Sequence, residues 1–147
     1  MSNSKPIPEG YHTVTPYLVV ERAAETIEFM KRAFGAKLLF QTTKPDGSIG
    51  HSELRIGDSM VMLGSAGDQW RAMPAMIYLY VEDVDAVYSK AIEAGAEAIM
   101  PLKDQYYGDR SGGVKDVSGN YWWIATHKED VTEDEMKRRQ ATAQATH

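Results

Sequence analysis

Two periodicities alternate along the chain, and they do so twice. Thr13 to Val20 (TVTPYLVV) is β-branched and aromatic and predicts a strand, with Pro16 removing one backbone donor. From Arg22 the period lengthens. Ala23, Ile27, Met30 and Phe34 share one face of a helix, and Gly35 supplies its stop. Three strands are expected next: Lys37 to Thr43, Gly50 to Ile56, and Ser59 to Leu63. The turns between them are Lys44-Pro45-Asp46-Gly47 and Gly57-Asp58.

Gly64 to Pro74 reads as a linker carrying Trp70, after which the pattern restarts. Ala75 to Val81 is a strand. Val84, Val87, Ala91 and Ala94 form a helical stripe between the N-cap candidate Asp83 and the stop Gly95. Strands follow at Glu97 to Leu102, Tyr107 to Lys115 and Asn120 to Thr126. A capping box, Thr132-x-x-Glu135, then opens a polar helix to about Ala143. LVVE at Leu18 lies over LYVE at Leu79, and Phe34-Gly35-Ala36 over Ala94-Gly95-Ala96, at an offset of 61 falling to 60; the later strands match at 62. Each half is therefore βαβββ. Neither half buries both its sheet face and its helix stripe alone, so the two must pair, within one chain or between two. The expected organisation is a loose arm over 1–10, a domain over 11–128 (modules 11–64 and 75–128, linker 65–74), and a polar tail over 129–147.

Alternation along the strands sorts side chains onto two sheet faces. Leu18, Val20, Leu54, Ile56, Ile77, Leu79, Val81, Trp122 and Ile124 suit packing under helices. The opposite face collects Tyr17, His51, Glu53, Arg55, Met76, Tyr78, Tyr80, Tyr121 and Trp123. A face of aromatics with a few polar groups is the composition of a ligand cavity. It also suits a packed seam between modules or copies, although three ionisable side chains on one short strand are costly to bury there.

Composition narrows the chemistry. The chain has 147 residues and no cysteine, so disulfides, thiolate nucleophiles and Cys-ligated zinc are excluded. A net charge of −5 and a pI near 5.3 argue against nucleic acid and anionic membrane surfaces. The opening MSNSKPIPEG lacks the apolar core of a signal peptide, and a cytoplasmic protein is expected. His51 and Glu53, two apart on one strand, are the candidates for an acid/base pair or an off-pattern metal site, or else a polar patch with Lys115 and Arg55 as cross-strand partners. Asp109-Arg110 is either an anion-binding arginine with its neighbour or a pair fixing a glycine-rich loop. His12 and His127 read as surface histidines at strand ends.

The paired βαβββ modules, with AAETIEFMKRAFGAKLLF, HSELRIGDSMVML and GDRSGGVKDVSGNYWWIATH, resemble the vicinal oxygen chelate superfamily, and within it the PhnB-like, glyoxalase/bleomycin-resistance branch. The resemblance implies an α+β protein whose modules form a cup-shaped mixed β-sheet, the glyoxalase/bleomycin resistance fold. In the metal-using members, ligands come from the first and last strands of each module. Carried over, those positions hold Thr15, Val61, Met76 and Trp123, none of which binds a divalent metal. Activity of the metal-dependent glyoxalase I type is therefore not expected, and no cofactor is. The expected function is metal-free binding of a small aromatic or cationic molecule by a homodimer, of the sequestration or resistance type. Its contact residues would be Tyr17, His51, Glu53, Arg55, Tyr78, Tyr80, Arg110, Tyr121 and Trp123. The alternative is a lyase, isomerase or dioxygenase-like enzyme working through His51 and Glu53.

Overall fold

The computed structural model describes residues 4–145, with side chains to residue 142; the ends of the expected arm and tail lie outside these. In chain order the elements are β1 (Tyr17–Val20), α1 (Ala23–Phe34), β2 (Lys37–Thr43), β3 (Ile49–Ile56), β4 (Ser59–Ser65), β5 (Met76–Tyr80), α2 (Val84–Glu93), β6 (Glu97–Asp104), β7 (Asp109–Lys115), β8 (Tyr121–His127) and α3 (Glu133–Ala145). Each module makes its own four-stranded sheet, β1-β4-β3-β2 and β5-β8-β7-β6. The first strand of each module runs parallel to the last, and the other pairs are antiparallel. Pairing in β1 begins at Tyr17 rather than Thr13. Pro16 has no N–H to give, although its carbonyl accepts from the Met62 amide at 2.9 Å.

The helix boundaries follow from local chemistry. Gly35 adopts φ 67° at the end of α1, and the amides of Gly35 and Ala36 close onto the Lys31 and Met30 carbonyls. The Asp83 carboxylate accepts the Ala86 amide at 3.2 Å and caps α2. The helices pack on each other and on the inner faces of the sheets. Phe29 and Phe34 of α1 reach across to Trp122 of β8, with ring centroids 6.5 and 4.9 Å away. The two modules thus share one core, in which Leu18, Met30, Leu54, Leu63, Trp122 and Ile124 are essentially solvent-free.

The turn before β8 closes this core. Asp116, 5% exposed, accepts the Ser118 and Asn120 amides on Oδ1, and the Asn120 amide nitrogen and Trp122 Nε1 on Oδ2 at 3.0 and 2.8 Å. The Ser118 hydroxyl meets the first turn of α1 at the Arg22 amide (3.1 Å) and the Thr26 hydroxyl (2.7 Å). One carboxylate therefore fixes both the central tryptophan and a contact between modules. Among the described residues no helix is long and apolar enough to cross a membrane.

Candidate functional site

The faces turned away from the helices carry the chemistry. In the first sheet, one row across paired strands runs Tyr17, Met62, Glu53 and Phe40. His51 stacks on Tyr17, with centroids 5.6 Å apart, and its Nδ1 is 3.1 Å from the Tyr17 hydroxyl. Its Nε2 is 3.1 Å from Glu53 Oε2. The other Glu53 oxygen accepts the hydroxyl of Tyr11, from the segment preceding β1. The result is a chain Tyr17, His51, Glu53, Tyr11: a carboxylate orients an imidazole against a phenol, an arrangement able to move a proton. Lys115 lies on the other sheet and is no partner to this pair. Arg55, on the same strand, is exposed and makes no ion pair among the described residues.

In the second sheet the corresponding rows are Met76, Tyr121 and Lys115, then Tyr78, Trp123 and Gly113, then Tyr80, Ala125 and Ser111. Trp123 lies flat over Gly113, where a Cβ would come within 2.7 Å of the indole. The Lys115 ammonium sits 5.7 Å from the Tyr121 ring centroid. Below the tyrosines lies Asp109, 3% exposed. Its Oδ2 accepts the hydroxyls of Tyr78 (2.8 Å) and Tyr80 (2.9 Å), and its Oδ1 meets His127 Nδ1 at 2.8 Å. His127 Nε2 reaches Asp130 at 2.8 Å.

Burial alone would raise the Asp109 carboxyl, but hydrogen bonds from His127, Tyr78 and Tyr80 outweigh it and hold it below its ordinary range. Asp109, and after it Asp130, push the His127 imidazole up. Burial pushes the Tyr78 phenol up, reinforced by Tyr107 and Asp109, and the Asp109 hydrogen bond does the same to Tyr80. The buried Asp109 carboxylate thus takes both tyrosine hydroxyls and the imidazole, while Asp130 stands fully exposed at the surface.

Most of the anticipated contact residues thus fall into two groups, one per sheet: Tyr17, His51, Glu53 and Arg55, and Tyr78, Tyr80, Tyr121 and Trp123. Arg110 joins neither. It forks onto Asp85 of α2 at 3.0 Å and Asp104 of β6 at 3.3 Å, on the helix side of the sheet. It does not pair with Asp109 because neighbours on a strand point to opposite faces. Val61 also requires correction: it is buried under the helices, 3% exposed, and Met62 is the residue paired with Tyr17 as Trp123 is paired with Tyr78. The positions implied for metal ligands therefore hold Thr15, Met62, Met76 and Trp123. Neither thioether nor indole suits a hard divalent ion, so these residues do not fit one. Among the described residues no three His, Asp or Glu side chains are grouped to hold a metal.

From the sequence Asp109 figures only beside Arg110, His127 only as a surface histidine, and Tyr11 not at all. His127 shares the parity of Tyr121 and Trp123, so alternation carried two residues further would have placed it on the aromatic face. Nothing in the pattern around Tyr11 signals its contact with Glu53.

Comparison with known proteins gives a consistent grouping. The family model described as Glyoxalase/Bleomycin resistance protein/Dioxygenase superfamily matches residues 11–124. The uncharacterized protein Mb0911c of Mycobacterium bovis is 37% identical over 135 residues, covering 84% of this chain and 89% of that protein. The crystal structure of TioX from Micromonospora sp. ML1 is similar at a TM-score of 0.69 and 25% identity, over 79% of this chain and 98% of that one. A PhnB protein from Bacillus cereus has the same fold at a TM-score of 0.60 and 17% identity, over 78% and 99%.

Proposed function

Because the chain belongs to the Glyoxalase/Bleomycin resistance protein/Dioxygenase superfamily, we propose that it uses that fold to bind and sequester a small aromatic cation, without a metal, and that two copies assemble to enclose it. The observation that carries this reading is the open face of the second sheet. Tyr80 is 65% and Tyr78 41% exposed there, with both hydroxyls on the buried Asp109 carboxylate, and Met76 is 65% exposed at the other end of the strand. Tyrosine faces attract a cation through the ring quadrupole, and Asp109 holds both hydroxyls so that the two rings are fixed in place. The two sheets of one chain share no hydrogen-bonded strand pair among the described residues, so each open face is available to a second copy.

Thermal shift and calorimetric titration with a flat quinolinium cation and its neutral quinoline counterpart test the proposal. The cation is expected to bind the more tightly, and Tyr80→Leu to remove the difference. Equal affinities, or a response unaffected by Tyr80→Leu, would refute it. Light scattering should return twice the monomer mass; a monomer would sink the assembly.

The Tyr17, His51, Glu53 and Tyr11 chain favours a second reading, an acid–base lyase or isomerase. Its signature is turnover that falls at least about a hundredfold in His51→Gln with little change in KM. Turnover unchanged in that variant would exclude it.

A further inference from the structure

We infer that the first module holds a separate binding site, at the end of β1, for a small monoanion with an apolar body: an aryl or branched-alkyl carboxylate. A cavity of about 540 Å³ opens there, bounded by Tyr17, Val19, Lys44, Trp70 and Met73. That is the size range of small-molecule pockets. The linker supplies its outer wall, bonded to β1 near both of its ends and closed on itself between them. The Ala66 amide donates to the Val20 carbonyl (2.8 Å), Gly67 to Trp70 (2.8 Å), and Met73 to Val19 (3.0 Å). Trp70 and Met73 nevertheless stay 62% and 51% exposed, so the wall presents an indole and a thioether with no protein group covering them. The inner wall depends on Gly64. A Cβ there would stand 2.6 Å from the Gly50 carbonyl oxygen and 2.9 Å from the Tyr17 hydroxyl.

One charge faces this apolar space. Lys44 is half-buried at the start of the β2–β3 turn, its backbone fixed by hydrogen bonds with Ser48 and Gly47 at 2.8 and 2.9 Å. Its ammonium donates to the Ser65 carbonyl at 3.4 Å, and no carboxylate lies within 4 Å among the described residues. The nearest acid in the turn, Asp46, accepts the Ser48 amide (2.9 Å) and hydroxyl (2.6 Å) instead. An ammonium has three donors. With one on a peptide carbonyl, two remain to receive a carboxylate. A single cation suits a single negative charge, whereas a phosphate dianion would keep part of its charge uncompensated. An indole and a thioether suit the body of the molecule. The site shares Tyr17 with the His51 chain but no residue with the Tyr78 and Tyr80 face, and it takes the opposite sign of charge, so its test is separate from that of the cation site proposed above.

Calorimetric titration with phenylacetate, phenylacetamide and phenethylammonium decides it. Phenylacetate should bind about tenfold or more tighter than the amide, the gain of one charge-assisted hydrogen bond, and phenethylammonium should not bind at this site. Lys44→Met keeps the aliphatic stem and should bring phenylacetate down to the amide. Lys44→Arg should retain the preference, and Trp70→Ala should weaken both ligands. Tyr80→Leu should leave phenylacetate binding unchanged, which separates this site from the other. If phenylacetate binds no better than its amide to the unaltered protein, or keeps its advantage in Lys44→Met, the site as assigned is wrong. The comparison on the unaltered protein holds even where a variant fails to fold.

Discussion

Asp116→Asn tests the view that one buried carboxylate locks the centre of the fold. The substitution keeps the shape and exchanges one acceptor oxygen for an NH2 group. Asp116 Oδ1 faces two backbone amides, while Oδ2 faces Trp122 Nε1 and the Asn120 side-chain nitrogen. Whichever way the new amide is turned, its NH2 confronts two donors. Each buried donor left without an acceptor costs about 1–3 kcal/mol, so the variant should lose about 2–6 kcal/mol. The total stability of a domain is about 5–15 kcal/mol. At about 2–4 °C per kcal/mol for a chain of this size, Tm should fall by about 10 °C. Urea and thermal unfolding followed by circular dichroism give the number. The stricter check is a cycle with Trp122→Phe, which removes the indole N–H. In that background Asp116→Asn should cost about 1–2 kcal/mol less, because one stranded donor is gone. A loss below about 1 kcal/mol, or no coupling in the cycle, would show that the carboxylate is not the anchor described.

Three further outcomes follow from the geometry. The His127 contribution to stability is complete below the imidazole's ordinary 6.5 and is lost as pH rises through its raised folded value. That of Asp109 is present above 3.8 and lost as pH falls through its lowered folded value. The Tm advantage over His127→Gln should therefore be largest between pH 3.8 and 6.5 and shrink as pH rises beyond 6.5 through the raised imidazole value; a difference that stays flat from acid to alkaline pH would contradict the pairing. Gly108→Ala forces a side chain onto a residue at φ 101°, with its Cβ 2.2 Å from the Glu129 carbonyl oxygen, and should cost about 2 kcal/mol or more in urea unfolding. Gly64→Ala meets the Gly50 carbonyl at 2.6 Å, a backbone atom that cannot swing aside. It should lower stability by about 1–3 kcal/mol and abolish phenylacetate binding, both read in one titration series.

Much of the fold was legible because it depends on local chemistry. The helical stripes Ala23-Ile27-Met30-Phe34 and Val84-Val87-Ala91 ended at glycines, and the two module halves repeated. Alternation also placed Tyr17, Tyr78, Tyr80, Tyr121 and Trp123 on one side of their strands. What escaped was assembled across strands. Asp109 collects hydroxyls from Tyr78 and Tyr80 on β5 and an imidazole from β8, and no spacing along the chain announces such a junction. Matching the later strands at an offset of 62 selects Val61, whereas the last strands of the two modules correspond at 61, the same as Tyr17 to Tyr78, and select Met62. Only the ladder, pairing Tyr17 with Met62 and Tyr78 with Trp123, fixes the count. Arg110 reads by its chemistry as an anion-binding arginine in a glycine-rich segment, and alternation instead turns it to the helix side, onto Asp85 and Asp104.

The linker hydrogen-bonded along β1 has a consequence for how copies of this chain meet. The Val19 carbonyl at the rim of the first sheet is occupied by the Met73 amide, whereas the Val20 carbonyl faces β4 and takes the Ala66 amide as the last rung of that ladder. No such guard runs along the outer side of β5 among the described residues, where Met76 and Tyr80 also stand exposed. Rim groups already bonded cannot template another strand, and unbonded ones can. The two sheets of one design thus have unequal borders, the first bridged at Val19 by its own chain. A strand added at either edge would meet one more bonded rim group on β1 than on β5.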